Sequence, residues 1–362
     1  MFILFLLTMI AAGVIYLNLP KFGSLPKGED LIRIQASLHY KNGRFQNINP
    51  TPQMSEDTTF LKVMTNYLFG SHPYTKPSKP VPAIKSTLKN LPQNENTLVW
   101  FGHSSYLIQS AGKTFLIDPV FSKTASPIPF NVVAFEGTDI YSSEDMPDID
   151  YLIISHDHWD HLDYPTIKKL KPRIKKIICG LGVGAHFKRW GFDENTIVEM
   201  DWNTKESLDD ATTVYAFPAR HFSGRSIFPN KSLWMSFVVD VNKYKFYVGG
   251  DSGYDDHYQK IGAQFGSIDL AVLDAGQYDN SWKYIHENPD EVVQAALDLK
   301  AKFLLPVHHS KFTISNHPWN EPLKRLTQNA KDENFKLLTP KIGQSVNLDN
   351  LPTQFDEWWL FD

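Results

Sequence analysis

The stretch YLIISHDHWDH, Tyr151 to His161, decides how this chain is read. YLIIS is a short apolar run with the look of a buried strand. Directly after it comes HDHWDH, His156 to His161, with three histidines and two aspartates in six residues. Such residues make poor cores, and like charges at close spacing repel. Side chains two apart on a tight loop can converge on one metal ion. Asp160 and His161 then project from the next turn toward a second. Imidazole and carboxylate without thiolate suit zinc, with iron or manganese as rivals. A solvated polar loop is the ordinary alternative, but the cluster sits at a strand's C-terminal end, where ligands are usually delivered.

Six residues cannot complete two coordination shells, so further ligands are expected from elsewhere. His221 comes after the strand-like VYAFPA, Asp251 after KFYVGG and His308 after KFLLP. Each stands where a strand ends, the place from which a rigid scaffold presents side chains to a shared cleft. A single histidine there is more often hydrogen-bonded structure than ligand. Taken with the cluster, these residues complete a candidate ligand set: His156, His158, Asp160, His161, His221, Asp251 and His308.

The rest of the chain reads as α/β with many strands. TLVWFGHSSYLIQS and KTFLIDPV are β-type runs parted by Ala111-Gly112, and LAVLDAG is a buried strand. Asn288-Pro289 opens a helix, with proline in its first turn and acids early. GLGVGAH lacks dinucleotide-loop spacing and reads as a strand-to-helix turn. His186 and His257 are expected at the surface or in caps. Arg225 is expected to meet a phosphate or an acidic partner. Phe222, Tyr278 and Trp282 could line an acyl groove or belong to the core. The tail FDEWWLFD is expected to pack on the body.

Composition narrows the function classes. The 362 residues are 42% hydrophobic and 21% charged, which is globular. A net charge of −4 offers no basic excess for nucleic acid. The single cysteine, Cys179, excludes an intramolecular disulfide and a thiolate zinc cluster. Phe2 to Leu19 is almost wholly apolar, and at 1.5 Å per residue its eighteen residues reach about 27 Å. An uncleaved membrane anchor over residues 1–20 is therefore expected, with a cleaved signal peptide as the alternative. Its orientation stays open. Residues 21–90 read as a Pro- and Lys-rich extension wrapping the body, and 91–362 as the catalytic domain.

HDHWDH with the downstream His221, Asp251 and His308 resembles the HxHxDH pattern of the metallo-β-lactamase-fold hydrolases. More narrowly, the chain is similar to the N-acyl-phosphatidylethanolamine-hydrolysing phospholipases D and their bacterial homologues. The shared stretches include VWFGHSSYLI, LIDPVFSKTASP, GLGVGAHFKRWGF, FPARHFSGR, GGDSGY and HENPDEVV, from about Leu98 to Phe312. This resemblance implies a four-layer αββα sandwich and two zinc ions. His156, His158 and His221 would hold one ion, Asp160, His161 and His308 the other, and Asp251 would bridge both. His286, in YIHENPDE, matches an active-site histidine that acts as an acid or a substrate contact. The family usually reads HWGTF where this chain has His308-His309-Ser310-Lys311-Phe312. His309 is therefore a further candidate proton donor and an alternative ligand, and substrate preference is expected to differ. Asp118 would orient a ligand or form a turn before Pro119. His103 would support the site or be structural.

The implied reaction is cleavage of N-acyl-phosphatidylethanolamine to phosphatidic acid and an N-acylethanolamine. The nucleophile would be a hydroxide between metal ions about 3.5–4 Å apart, with Asp160, His286 and His309 as catalytic residues. The implied partners are a phospholipid substrate and a membrane met through the N-terminal segment, with a homodimer possible and no nucleic acid. The rivals are a lactonase, a soluble phosphodiesterase, a di-iron oxygen-reducing protein and a non-catalytic metal-binding envelope protein.

Overall fold

Side chains alternate across a strand, so a strand covered on both faces must be apolar at every position. YLII of YLIIS, LAVL of LAVLD and FLLPV of KFLLPV meet that condition. The computed structural model, which describes residues 1–70, 72–128 and 130–361, shows what covers them. One sheet contains β3 (Thr97–Trp100), β4 (Tyr106–Ser110), β5 (Lys113–Ile117), β6 (Ile149–Ile154), β7 (Ile174–Gly180) and β8 (Ile197–Met200). The other contains β9 (Lys205–Ser207), β10 (Thr212–Phe217), β11 (Ser236–Val241), β12 (Tyr244–Val248), β13 (Ile268–Asp274), β14 (Ala301–Val307) and β15 (Lys336–Leu337). The last strand, β16 (Ser345–Asn347), returns to pair with β3, giving seven strands in each sheet in the orders β16-β3-β4-β5-β6-β7-β8 and β15-β14-β13-β12-β11-β10-β9. A small hairpin of β1 (Tyr40–Lys41) and β2 (Arg44–Phe45) lies in the extension.

Both sheets are mixed. β5 to β8 run parallel, as do β12 to β15, and the remaining pairings are antiparallel. The parallel strands are joined by crossover helices: α4 (Tyr164–Leu170) and α5 (Gly184–Arg189) on one sheet, α6 (His257–Phe265), α7 (Pro289–Asp298) and α8 (Glu321–Asn329) on the other. Alternation sorts the side chains into three apolar layers. Ile153 of β6 and Val272 of β13 meet between the sheets. Leu152 and Ile154 pack outward with Ile167, Leu170 and Phe187 of α4 and α5. Ala271 and Leu273 pack outward with Tyr258, Val292 and Leu326 of α6 to α8. The layering is helix, sheet, sheet, helix, and Cys179 is buried within it. The tail folds back with Trp358 and Trp359 in the central cluster, while Asp362 lies outside the described residues.

This topology fixes where the site must be. Within one sheet β3, β5 and β6 run in one direction, and within the other β10, β12, β13 and β14 do. Their C-terminal ends deliver His103, Asp118, His156, His221, Asp251, Asp274 and His308.

The expected membrane anchor is not present among the described residues. The apolar N-terminal run forms α1 (Phe2–Leu17), sixteen residues long. At 1.5 Å per residue that is about 24 Å, short of a hydrocarbon core of about 30 Å. The helix stops because Asn18 caps it and Pro20 opens a tight turn. That turn carries the chain back onto the body, where Lys21 Nζ donates to the Pro127 carbonyl at 2.7 Å. No helix among the described residues is long and apolar enough to cross a membrane. The assignment of the protein as membrane-anchored through this segment is corrected accordingly. Two more helices, α2 (Gly28–Gln35) and α3 (Phe60–Phe69), complete the extension.

The helix just beyond His286 is closed by a capping box. The Asn288 side chain accepts from the N–H groups of Asp290 and Glu291, and the Glu291 carboxylate accepts from Asn288 N–H. Asn288→Ala is expected to cost about 1 kcal/mol, read as a lower midpoint in urea at unchanged slope.

Candidate metal centre

The structure brings all seven expected ligand residues together at one edge of the sandwich. Three groups form, each with ligand atoms within 4.8 Å of one another: His156, His158, His221 and Asp251; His103, Asp160, His161 and His308; and Asp251, Asp274, His286 and His308. Asp251 sits between the first two. Its Oδ1 is 3.1 Å from His161 Nε2, and its Oδ2 is 3.7 Å from His156 Nε2, 3.7 Å from His221 Nε2 and 3.4 Å from His308 Nε2.

Partners behind each ring decide which nitrogen faces inward. His221 Nδ1–H donates to the Ile285 carbonyl at 2.9 Å. His161 Nδ1–H donates to Asp118 Oδ2 at 2.8 Å, and His308 Nδ1–H to Asp274 Oδ1 at 2.9 Å. His156 Nδ1 lies 2.9 Å from the Ser155 hydroxyl, which itself donates to Asp118. In each case Nε2 is left free to point at the centre. His158 is the exception, presenting Nδ1, 2.9 Å from His156 Nε2 and 3.2 Å from His221 Nε2. At most one of those contacts can be a hydrogen bond, so lone pairs confront one another.

That arrangement fits a cation. His161 Nε2 and Asp251 Oδ1 are sealed from water and make no hydrogen bond, although buried polar atoms are ordinarily paired. Burial, then neighbouring rings, pushes the His156 imidazole well below its ordinary pKa, and burial lowers His158 and His221 as well. Neutral imidazole is the form that binds metal. Burial alone would raise the carboxyls of Asp160 and Asp251, but the His161 imidazole and its neighbours hold both well below the carboxylate range. Against the effect of burial, Asp251 and the neighbouring aspartates push the imidazoles of His161 and His308 up, His308 to about 10, so a metal ion binding there would displace their protons. Imidazole nitrogens and ionised oxygens without sulfur suit a divalent zinc, iron or manganese ion.

Other expectations divide. His286 lines the cleft with Nδ1–H donated to Asp274 Oδ2 at 2.6 Å. His309, expected as a proton donor or alternative ligand, is turned away. Its ring packs on Trp100 at 5.0 Å, with Nδ1 on the Ser310 hydroxyl and Nε2 on the Pro306 carbonyl. The left-handed backbone at His308 (φ 66°) sends consecutive side chains apart. Lys311, the other departure from the family pattern, is buried and donates to the Phe101 and Val120 carbonyls. Burial lowers its pKa to about 8. His186 and His257 are buried rather than superficial. Arg225 stacks over Trp159 at 4.1 Å and bonds the main chain at Lys21 and Asp157, instead of facing the cleft.

His103 proves to be part of the centre, with Nε2 2.9 Å from Asp160 Oδ2. Asp118 holds His161, as one of its two readings required. Asp274 was missed. It joins His286 to His308, and the signal that marked Asp118, an aspartate ending an apolar strand, was equally present in LAVLD.

Above the centre lies a cleft of about 450 Å³. Its walls are apolar, formed by Met54, Met64, Val132, Phe222, Trp282 and Ile314. Phe222 and Trp282 thus line it, whereas Tyr278 stacks on His317 and bonds Glu321. Gln53, Met54, Val63 and Met64 come from the N-terminal extension.

Comparison with known proteins agrees with this architecture. A family model described as the Beta-lactamase superfamily domain matches residues 113–309. An uncharacterised protein of Mycobacterium tuberculosis is 35% identical over 340 residues, covering 92% of this chain and 91% of that one. The N-acyl-phosphatidylethanolamine-hydrolyzing phospholipase D 1 of Caenorhabditis elegans is 31% identical over 270 residues, covering 68% of this chain and 74% of that one. Among solved structures, the isothiocyanate hydrolase from Delia radicum gut bacteria shares the fold, with a TM-score of 0.55 at 18% identity over 69% of this chain and 98% of that one. The fold implies a divalent metal at the centre described above. The chain belongs to the metallo-β-lactamase superfamily of metallo-hydrolases and is a homologue of the N-acyl-phosphatidylethanolamine-hydrolysing phospholipases D.

Proposed function

We propose that this protein is a dinuclear, zinc-dependent phosphodiesterase of the phospholipase D type. It cleaves N-acyl-phosphatidylethanolamine to phosphatidic acid and an N-acylethanolamine. One observation carries the reading: a polar centre of histidines and aspartates forms the floor of a cleft whose walls are apolar. A phosphodiester flanked by hydrocarbon chains matches both parts.

His156, His158 and His221 would hold one ion, Asp160, His161 and His308 the other, with Asp251 shared. When bound, the pair supplies Lewis acidity and a water ionised near neutral pH. The residues of the chain do the rest. Met54, Phe222 and Trp282 take the acyl chain out of water and hold the phosphorus over the centre. Asp274 accepts the Nδ1–H of His286, so that Nε2 is left toward the cleft. Carrying a second proton on Nε2, taken from solvent, the ring gives that proton to the ethanolamine oxygen as the P–O bond breaks, and solvent restores it. A neutral alcohol leaves, and the phosphate monoester remains.

Asp251→Ala is expected to lower hydrolysis of N-acyl-phosphatidylethanolamine in mixed micelles by more than about a hundredfold, followed by mass spectrometry, with the melting transition retained. Intact lipid alongside cleaved bis-p-nitrophenyl phosphate would overturn the lipid assignment and favour a soluble phosphodiesterase. Turnover of lactones alone would favour a lactonase, and loss of folding without any turnover a structural metal protein. A second expectation concerns the leaving group. His286→Ala should cost about 10²–10⁴-fold in kcat on the lipid, whose alkoxide leaves poorly, and far less on bis-p-nitrophenyl phosphate. Equal losses on both would remove His286 as the acid.

A further inference from the structure

HDHWDH contains two residues outside the candidate ligand set, Asp157 and Trp159; Trp159 touches the N-terminal extension and Asp157 is linked to it through His186. Asp157 is buried, with Oδ1 accepting from Gly224 N–H at 2.8 Å and Oδ2 from the Ser232 hydroxyl at 2.8 Å. Its backbone carbonyl accepts from Arg225 Nη1. Asp157 thereby ties the loop of His156 and His158 to the loop of His221. His186 Nε2–H, 3.1 Å from Oδ2, completes its shell. The tautomer of His186 is set from the extension, because Ser24 N–H donates to Nδ1 at 3.0 Å. Gly23, at φ +68°, lies flat against the same ring, and a Cβ there would stand 1.9 Å from His186 Nδ1. From the same turn the Phe22 ring packs on Trp159 at 5.1 Å, and Arg225, stacked over Trp159, donates from Nε to the Lys21 carbonyl.

A second strap reaches His221 directly. Asn47 Nδ2 donates to the His221 carbonyl at 2.7 Å, and Asn47 Oδ1 accepts from His221 N–H at 3.3 Å and from Trp234 Nε1–H at 3.1 Å. The other half of the centre has no such contact among the described residues. Its outer partners are His103 on Asp160, Asp118 on His161 and Asp274 on His308, all from the sandwich itself.

We propose that the N-terminal extension is a built part of the metal centre. Through Asn47 and through Ser24, His186 and Asp157, it positions His156, His158 and His221, and so governs occupancy of that half while leaving the half of Asp160, His161 and His308 to the sandwich. Asn47 and His186 are positioning residues. This inference rests on the two-ion reading of the site, and its test separates the two.

The test counts zinc per folded full chain and titrates each variant against a chromophoric chelator. The unaltered chain is expected to hold two ions. Asn47→Ala is expected to keep one tightly and to hold the second about 10–100-fold more weakly, the usual effect of removing an outer partner. Asn49→Ala, in the same strap but bonded only to Asp255, should keep both. His308→Ala added to Asn47→Ala should leave only the weakened site, whereas His221→Ala added to it should leave one tightly held ion in place. If Asn47→Ala does not fold, Gly23→Ala reports the same split through His186. Fewer than two ions on the unaltered chain would overturn the two-ion reading. Two ions there, with the variants losing neither or both equally, would overturn the role of the extension and leave that reading standing.

Discussion

The centre depends on one constraint: a group of imidazoles and carboxylates must be held together away from water. Like groups among them repel, carboxylate against carboxylate and ring against ring, and each loses hydration on burial. The chain meets this by giving nearly every ring a fixed acceptor behind it. Asp118 and Asp274 are the main ones, and Asp274 serves two rings at once. What those partners leave over is a set of inward nitrogens and carboxylate oxygens that protons on His161 and His308 or a metal ion can bridge, and metal binding is thereby coupled to proton release.

Backbone strain is the second contribution. His103, Asp118, Gln277, His308 and Ser310 all adopt positive φ, from 41° to 66°. Left-handed conformations are unfavourable for such residues and persist where surroundings over-determine them. Here two of the loops lock each other, since His103 N–H donates to the His309 carbonyl and His308 N–H to the His103 carbonyl. The lock brings His103 and His308 together on Asp160, with 4.3 Å between ring centroids. It also sends His309 into the aromatic cluster around Trp100 instead of toward the cleft.

The extension joins chemistry and recognition. It supplies part of the cleft wall through Met54 and Met64, and it grips the histidine loops through Asn47 and Ser24. The same segment thus shapes both what the cleft accepts and how firmly one group of ligands is held.

The strand ends and the ligand types were legible in the sequence, because apolar runs and clustered histidines are local signals. HDHWDH, His221, Asp251 and His308 each stand just past the end of an apolar run, so the runs themselves point to them. The direction each side chain takes was not legible. His309 and His308 are adjacent in sequence, and only the left-handed turn at His308 parts them. His186 looked superficial because nothing nearby in sequence reveals the Ser24 amide or the Asp157 carboxylate that bury it. The apolar N-terminal run gave a length in residues, but where the helix stops depended on Asn18 and Pro20 together with the docking of the turn after them. Local composition determined which groups are present and roughly where the strands end. Tertiary structure decided which nitrogen faces the centre, because hydrogen-bond partners come from strands far apart in sequence and brought together by sheet order.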